Sequence, residues 1–185
     1  YSTRGFAGKL LGQWEASQGK DPCATWDAAV KVLDEGTRRN PGLTSAYNHR
    51  GLIWLSRAEW EAGQGLDPRP SLEKAIADNG RLLEMNPESL PALCNRGSCW
   101  GRLAEAEKRL GLDPKGSIEK AMADYKAVLS INPRVWQAHQ CLGTVFELSG
   151  EDEKALEAYQ RAYGIVGDAV PTLREAIDRL RAKKA

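Results

Sequence analysis

The sequence predicts an all-α chain: a run of antiparallel helix hairpins closed by one further helix. Three observations carry this. Sliding the 185 residues by 46 superposes Gly5, Gly51, Gly97 and Gly143, and likewise Arg4, Arg50 and Arg96. At the same offset "GKDP" at 19–22 becomes "GLDP" at 65–68 and again at 111–114. Asn-Pro recurs at 40–41, 86–87 and 132–133, and Trp14 matches Trp60 as Trp54 matches Trp100. Matches this dense at one offset mark stacked structural repeats, so "GLDP" reads as a turn inside each repeat.

Each unit reads as two helices. In the second, "SAYNHRGLIWLSRAEWEAGQG" sets Tyr47, Gly51, Trp54 and Ala58 at helical spacing. Gly65 suits a left-handed helix stop. Asp67 is expected to cap the next helix, with Pro68 in its first turn, where no amide donor is missed. Ser71 is a competing start, because "SLEKAIADNGRLLEM" runs on with Leu72, Ile76 and Leu83. Asn86-Pro87 ends that helix, since proline disfavours the helical conformation in the residue before it. One repeat domain over 1–185 follows, with units at 1–43, 44–89, 90–135 and 136–169. The remainder, 170–185, is a capping helix. It sets Val170, Leu173, Ile177 and Leu180 on one face and Arg174, Asp178, Arg179 and Arg181 on the other. The N-terminal end has no comparable cap.

Charged residues are 28% and the formal net charge is +1, which argues against a nucleic-acid or anionic-membrane binder. No apolar run approaches the length of about 20 that spans a bilayer, and no signal peptide is visible. Cys23, Cys94, Cys99 and Cys141 form no C-x-x-C pair and read as reduced thiols of a cytoplasmic protein. Cys94 and Cys141 fall near corresponding places in successive units, so a disulfide or metal role is the minority alternative. Neither His49 nor His139 lies near a Ser or Cys by sequence logic, and the carboxylates fall at caps or on solvated faces. No converging constellation emerges, so no catalytic residue, cofactor or metal is expected. The six tryptophans read as packing, with one or two exposed at most. Arg4, Arg50 and Arg96 share a helical stripe with Glu15, Glu61 and Glu107, eleven residues on, and read as ladders to neighbouring helices.

These residues resemble the tetratricopeptide repeat, whose pattern has a large residue, Leu-Gly and an aromatic on helix A, then Ala, an aromatic and Ala on helix B. The fourth unit fits at the family's length with His139, Leu142-Gly143, Phe146, Ala155, Tyr159 and Ala162. The third offers Leu93, Gly97, Trp100, Ala121, Tyr125 and Pro133; the second, Tyr47, Gly51, Trp54, Ala75 and Pro87. In the first, Tyr1, Gly5, Ala29 and Pro41 match, but Gly8 replaces the aromatic. The first three units are 12 residues longer, with seven added to helix A and five to the turn and helix-B start. Such long units resemble repeats behind the kinase domain of some bacterial serine/threonine kinases, although no kinase motif is present here.

The resemblance implies a right-handed superhelical α-solenoid whose concave wall is built from the A helices. It places Ser2, Asn48, Cys94 and Gln140 in one row of that wall. Phe6, Leu52, Ser98 and Thr144 form the next, and Lys9, Leu55, Gly101 and Glu147 a third, with Gln13, Glu59 and Glu105 on the added turns. The family's carboxylate clamp needs paired Lys, Asn and Arg, which these rows lack. The expected function is a protein–protein interaction scaffold that binds a peptide or partner protein through its concave face, as a regulatory or recruitment region. The rival is a structural spacer or self-association module, acting through the uncapped N-terminal repeat at Phe6, Leu10 and Leu11.

Overall fold

The structure, a computed structural model, describes residues 1–183. The expected hairpins form in order. The first pairs α1 (Ser2–Ser17) with α2 (Cys23–Arg39), and the second α3 (Thr44–Gly63) with α4 (Arg69–Met85). Next come α5 (Leu90–Arg109) and α6 (Lys115–Ile131), then α7 (Trp136–Leu148) and α8 (Asp152–Val166). A short 3-10 turn, Gly167–Ala169, leads into α9 (Pro171–Ala182). Lys184 and Ala185 of the expected capping helix lie outside the described residues. The chain forms two compact units, Tyr1–Cys99 and Trp100–Ala185.

The repeated motifs shape the turns, with one shift: Pro22, Pro68 and Pro114 stand at the N-cap, one residue before the first helical turn. Gly19, Gly65, Gly111 and Gly150 all have positive φ, between 71° and 78°, and each turns the chain out of an A helix. A side chain there would be strained. In the long units an aspartate follows and accepts a backbone amide two residues on: Cys23 N to Asp21 Oδ1 (2.9 Å), Arg69 N to Asp67 Oδ1 (3.1 Å) and Lys115 N to Asp113 Oδ1 (3.0 Å). The helix therefore starts at Arg69, and Ser71 is buried within its first turn. Asn40, Asn86 and Asn132 end the B helices in extended conformations, as the following proline requires. Each then accepts an amide two residues on through Oδ1, at 2.9 to 3.2 Å. Helices α3 and α5 have 20 residues and α7 has 13, which places the surplus of the long units where the glycine spacing put it.

In Tyr1–Cys99, α1 packs on α2, α3 packs on both, and α4 packs on α3. The first hairpin inverts the usual distribution of size. Its A helix carries Gly8 and Gly12, and its B helix fills the space with Trp26, only 1% exposed. A Cβ at Gly12 would lie 2.2 Å from Trp26 Nε1. In the second hairpin the large residue, Trp54, is on α3, and Ala75 on α4 is fully buried. Trp14 is the exposed tryptophan, at 54%.

In Trp100–Ala185, α7 packs on α6 and α8, and α9 on α8. Leu173, Ile177 and Leu180 join Ala155, Tyr159 and Ala162 in one buried cluster. Arg174, Asp178, Arg179 and Arg181 stay exposed, so α9 is amphipathic as read. None of the four cysteines forms a disulfide.

Arg50 pairs with neighbouring helices as expected, but through aspartates rather than the recurrent glutamates. Arg50 binds Asp78 of α4 through Nε (2.9 Å to Oδ2) and Asp34 of α2 through Nη1 (2.6 Å). Glu61 instead takes Arg57 of its own helix, at 2.9 Å. Glu61 sits nearly three turns along α3 from Arg50, whereas the helix-B aspartates lie directly across the contact. In the first hairpin Val32 stands one repeat before Asp78, and Arg4 is exposed.

Candidate functional site

The candidate surface is the helix-A face. Its residues fall in both compact units, each described by itself. In Tyr1–Cys99, α1 and α3 lie side by side. Ser2 Oγ and His49 Nδ1 share a hydrogen bond of 3.0 Å across them. The Phe6 ring sits against the His49 ring at 5.1 Å between centroids, and Lys9 Nζ lies 5.8 Å from the Phe6 centroid. Further along, Gln13 Nε2 donates to Ser56 Oγ at 3.0 Å. The structure therefore brings Ser2, Phe6 and Lys9 together, joined by His49, which the sequence reading set aside. The signal was available: His49 is 47 residues after Ser2, one position past a full repeat.

Burial pushes the His49 imidazole below its ordinary value; the Ser2 contact opposes this and the Lys9 charge adds to it. No carboxylate bonds His49 among the described residues. The Ser2–His49 contact is a polar tie between two helices.

Asn48, Leu52 and Leu55 follow on α3, each half-buried. The other faces of α3 are closed by Ala46, Ile53, Trp54 and Ala58, all buried. The amide of Asn48 makes no hydrogen bond among the described residues. It presents two donors and an acceptor beside two accessible leucines. On α5, Cys94 and Ser98 are half-buried.

In Trp100–Ala185, Gln140 is half-buried and Thr144 is exposed, its hydroxyl 3.1 Å from Tyr159 Oη. Glu147 is already engaged. It accepts from Tyr159 Oη at 2.7 Å and from Arg179 of α9 at 2.6 and 3.0 Å. Burial pushes its carboxyl up, but the Arg179 and Tyr159 hydrogen bonds outweigh this and hold it below the usual range. The capping helix thus uses one of the candidate wall residues as its anchor. Arg179 was read only as part of the solvent face of α9.

Among the described residues no group of three or more His, Cys, Asp or Glu could hold a metal ion. No helix there is long and apolar enough to cross a membrane.

Solved structures share this succession of helix pairs. A tetratricopeptide-repeat protein of Thermus thermophilus, TTC0263, matches 100% of this chain and 84% of its own, at 20% identity and TM-score 0.64. The fold is that of the tetratricopeptide repeat. MamA (41-end) from Desulfovibrio magneticus RS-1 matches over 98% of this chain and 85% of its own, at 15% identity and TM-score 0.66. The Sgt2 tetratricopeptide-repeat domain of Aspergillus fumigatus matches 72% of this chain and 78% of its own, at 20% identity and TM-score 0.50. No family model and no curated protein sequence matches the chain. The tetratricopeptide repeat is thus established here by backbone geometry, and the 12-residue extension of three units separates them from the family's usual length.

Proposed function

We propose that this chain is a protein-interaction scaffold, which holds a peptide segment or partner protein against the helix-A face of its repeats and acts by binding rather than by catalysis. Asn48 carries the reading: a half-buried amide with unused hydrogen-bonding groups, flanked by half-buried Leu52 and Leu55. An amide so placed can bond both N–H and C=O of an extended backbone while the leucines receive an apolar side chain. Ser2, Phe6, Lys9, Cys94 and Ser98 belong to this proposal in Tyr1–Cys99; Gln140, Thr144 and Glu147 belong to it in Trp100–Ala185 taken by itself. A single repeat domain over 1–185, a cytoplasmic setting and recruitment beside a bacterial serine/threonine kinase domain belong to the same proposal. The last is supported by the 46-residue units alone.

The test is a pull-down with mass-spectrometric identification, comparing wild type with an Asn48→Ala, Leu52→Ala, Gln140→Ala variant of unchanged helicity. A partner retained by wild type and lost by the variant supports the proposal. Equal recovery by both overturns it.

A second reading, self-association, has its own observation. Leu10, Leu11 and Trp14 of α1 are 47%, 49% and 54% exposed. Two repeat lengths on, Leu103 and Ala106, in register with Leu11 and Trp14, are 5% and 4% exposed. The stripe that α5 buries at Leu103 and Ala106 is therefore open on α1. Phe6, one turn before Leu10 on the same face, is 41% exposed as well, although its ring also meets His49. Under this reading sedimentation shows a concentration-dependent dimer that Leu11→Lys with Trp14→Glu returns to monomer. A wild type that stays monomeric at all concentrations contradicts it.

A further inference from the structure

A groove of about 360 Å³ runs over the helix-B side of α6, α7 and α8. Its floor is apolar, formed by Leu142, Phe146 and Ala158, and its rim carries three cations, Lys126 of α6 with Lys154 and Arg161 of α8, against one carboxylate, Glu157. The equivalent place in the other unit, between α2, α3 and α4, shows what is unusual here. Two repeat lengths before Leu142 and Lys126 stand Arg50 and Asp34. Ala158 corresponds to Asp78 once the 12-residue shortfall of the fourth unit is counted. In that groove Arg50 is bonded by Asp34 and Asp78, so the ionic groups satisfy one another. In the α6–α8 groove all three members have changed: arginine to leucine, one aspartate to alanine and the other to lysine. The floor is left apolar, and Lys126 forms no ion pair among the described residues. Of the other rim cations, Arg161 pairs with Glu157 at 2.6 Å and Lys154 with Glu151.

We propose that this groove is a second binding site, for an acidic peptide segment with an apolar anchor residue. The anchor lies on Leu142 and Phe146, and flanking carboxylates meet Lys126, Lys154 and Arg161. Lys154 and Arg161 are seven residues apart on α8, about 10 Å, the span of roughly three extended residues. Cations on both sides of an apolar slot thus suit carboxylates spaced around one buried side chain. The site shares no residue with the Asn48 surface and stands independently of the helix-A proposal.

The test uses the full chain and two blocked hexapeptides, Glu-Asp-Leu-Phe-Glu-Asp and its charge-reversed counterpart Lys-Arg-Leu-Phe-Lys-Arg, followed by amide ¹H–¹⁵N spectra. The acidic peptide is expected to give saturable shifts centred on α6, α7 and α8. Lys126→Glu, an exposed substitution, should weaken it about fivefold or more. Grafting the other unit's triad (Lys126→Asp, Leu142→Arg, Ala158→Asp) should abolish it. Absence of shifts, equal shifts with the basic peptide, or shifts confined to Asn48, Leu52 and Leu55 would each overturn the site. An acidic-peptide affinity unchanged in Lys126→Glu would do so as well, even if the graft failed to fold.

Discussion

Arg50 is held by Asp34 and by both carboxylate oxygens of Asp78, and the Asp78 side chain is only 5% exposed. Burial lifts the Asp78 carboxyl above the usual range while Arg50 pulls it back. Removing one partner leaves the other charge buried without compensation. Arg50→Ala is therefore expected to destabilise Tyr1–Cys99 by about 3–5 kcal/mol in urea denaturation. Arg50→Leu with Asp78→Ala copies the solution at Leu142 and Ala158 and should recover most of that loss, because an apolar pair of fitting shape replaces the ions. His49 makes a different prediction. Its folded-state pKa lies below the ordinary value, so the unfolded chain binds more protons as pH falls through about 6.5. Its contribution is full above that range and is lost on acidification. The urea midpoint should drop between about pH 7.5 and 5.5, and by less in His49→Gln. An equal drop in both would remove His49 as the cause.

At the scale of the helix, glycine has two separate uses, and a pair of substitutions distinguishes them. Gly12→Ala puts a methyl group 2.2 Å from Trp26 Nε1 and should cost about 1–3 kcal/mol by overpacking. Gly80 lies well inside α4 with nothing within 4 Å of an added Cβ. Gly80→Ala should stabilise by about 0.5–1 kcal/mol through helix propensity. Thermal melts of the two variants should move in opposite directions. The helices, their turns and the added length of α3 and α5 were legible in the sequence, because each repeats at one offset and rests on local chemistry: Gly65 at positive φ, Asp67 capping, Pro87 fixing Asn86. What was not legible depends on which helices meet side by side. Arg50 and Glu61 share a stripe too far apart to bond each other, which points each to a neighbouring helix; only the packing of α4 and α2 on α3 selects Asp78 and Asp34 as the partners of Arg50. His49 was set aside for the same reason, since its contact with Ser2 exists only because α1 lies against α3. Glu147 was singled out in the sequence for the helix-A wall, but its bond to Arg179 depends on where α9 docks.

At the scale of the whole chain, the near-neutral charge hides local contrast. One helix-B groove is neutralised by its own ion triad; the corresponding groove has an apolar floor and Lys126, which forms no ion pair among the described residues. The α3 part of the helix-A face differs from both in that its polar group, Asn48, is uncharged. Under the proposed function, recognition there would rest on hydrogen bonds and apolar contact, and binding is expected to be little affected by salt. The most direct measurement is site-specific photo-crosslinking of the captured partner, with a benzophenone amino acid at position 52 on the helix-A face or at exposed position 73 on α4. The account predicts a crosslink from position 52 and none from 73. Crosslinking from 73 alone would contradict it, placing the partner on the helix-B side.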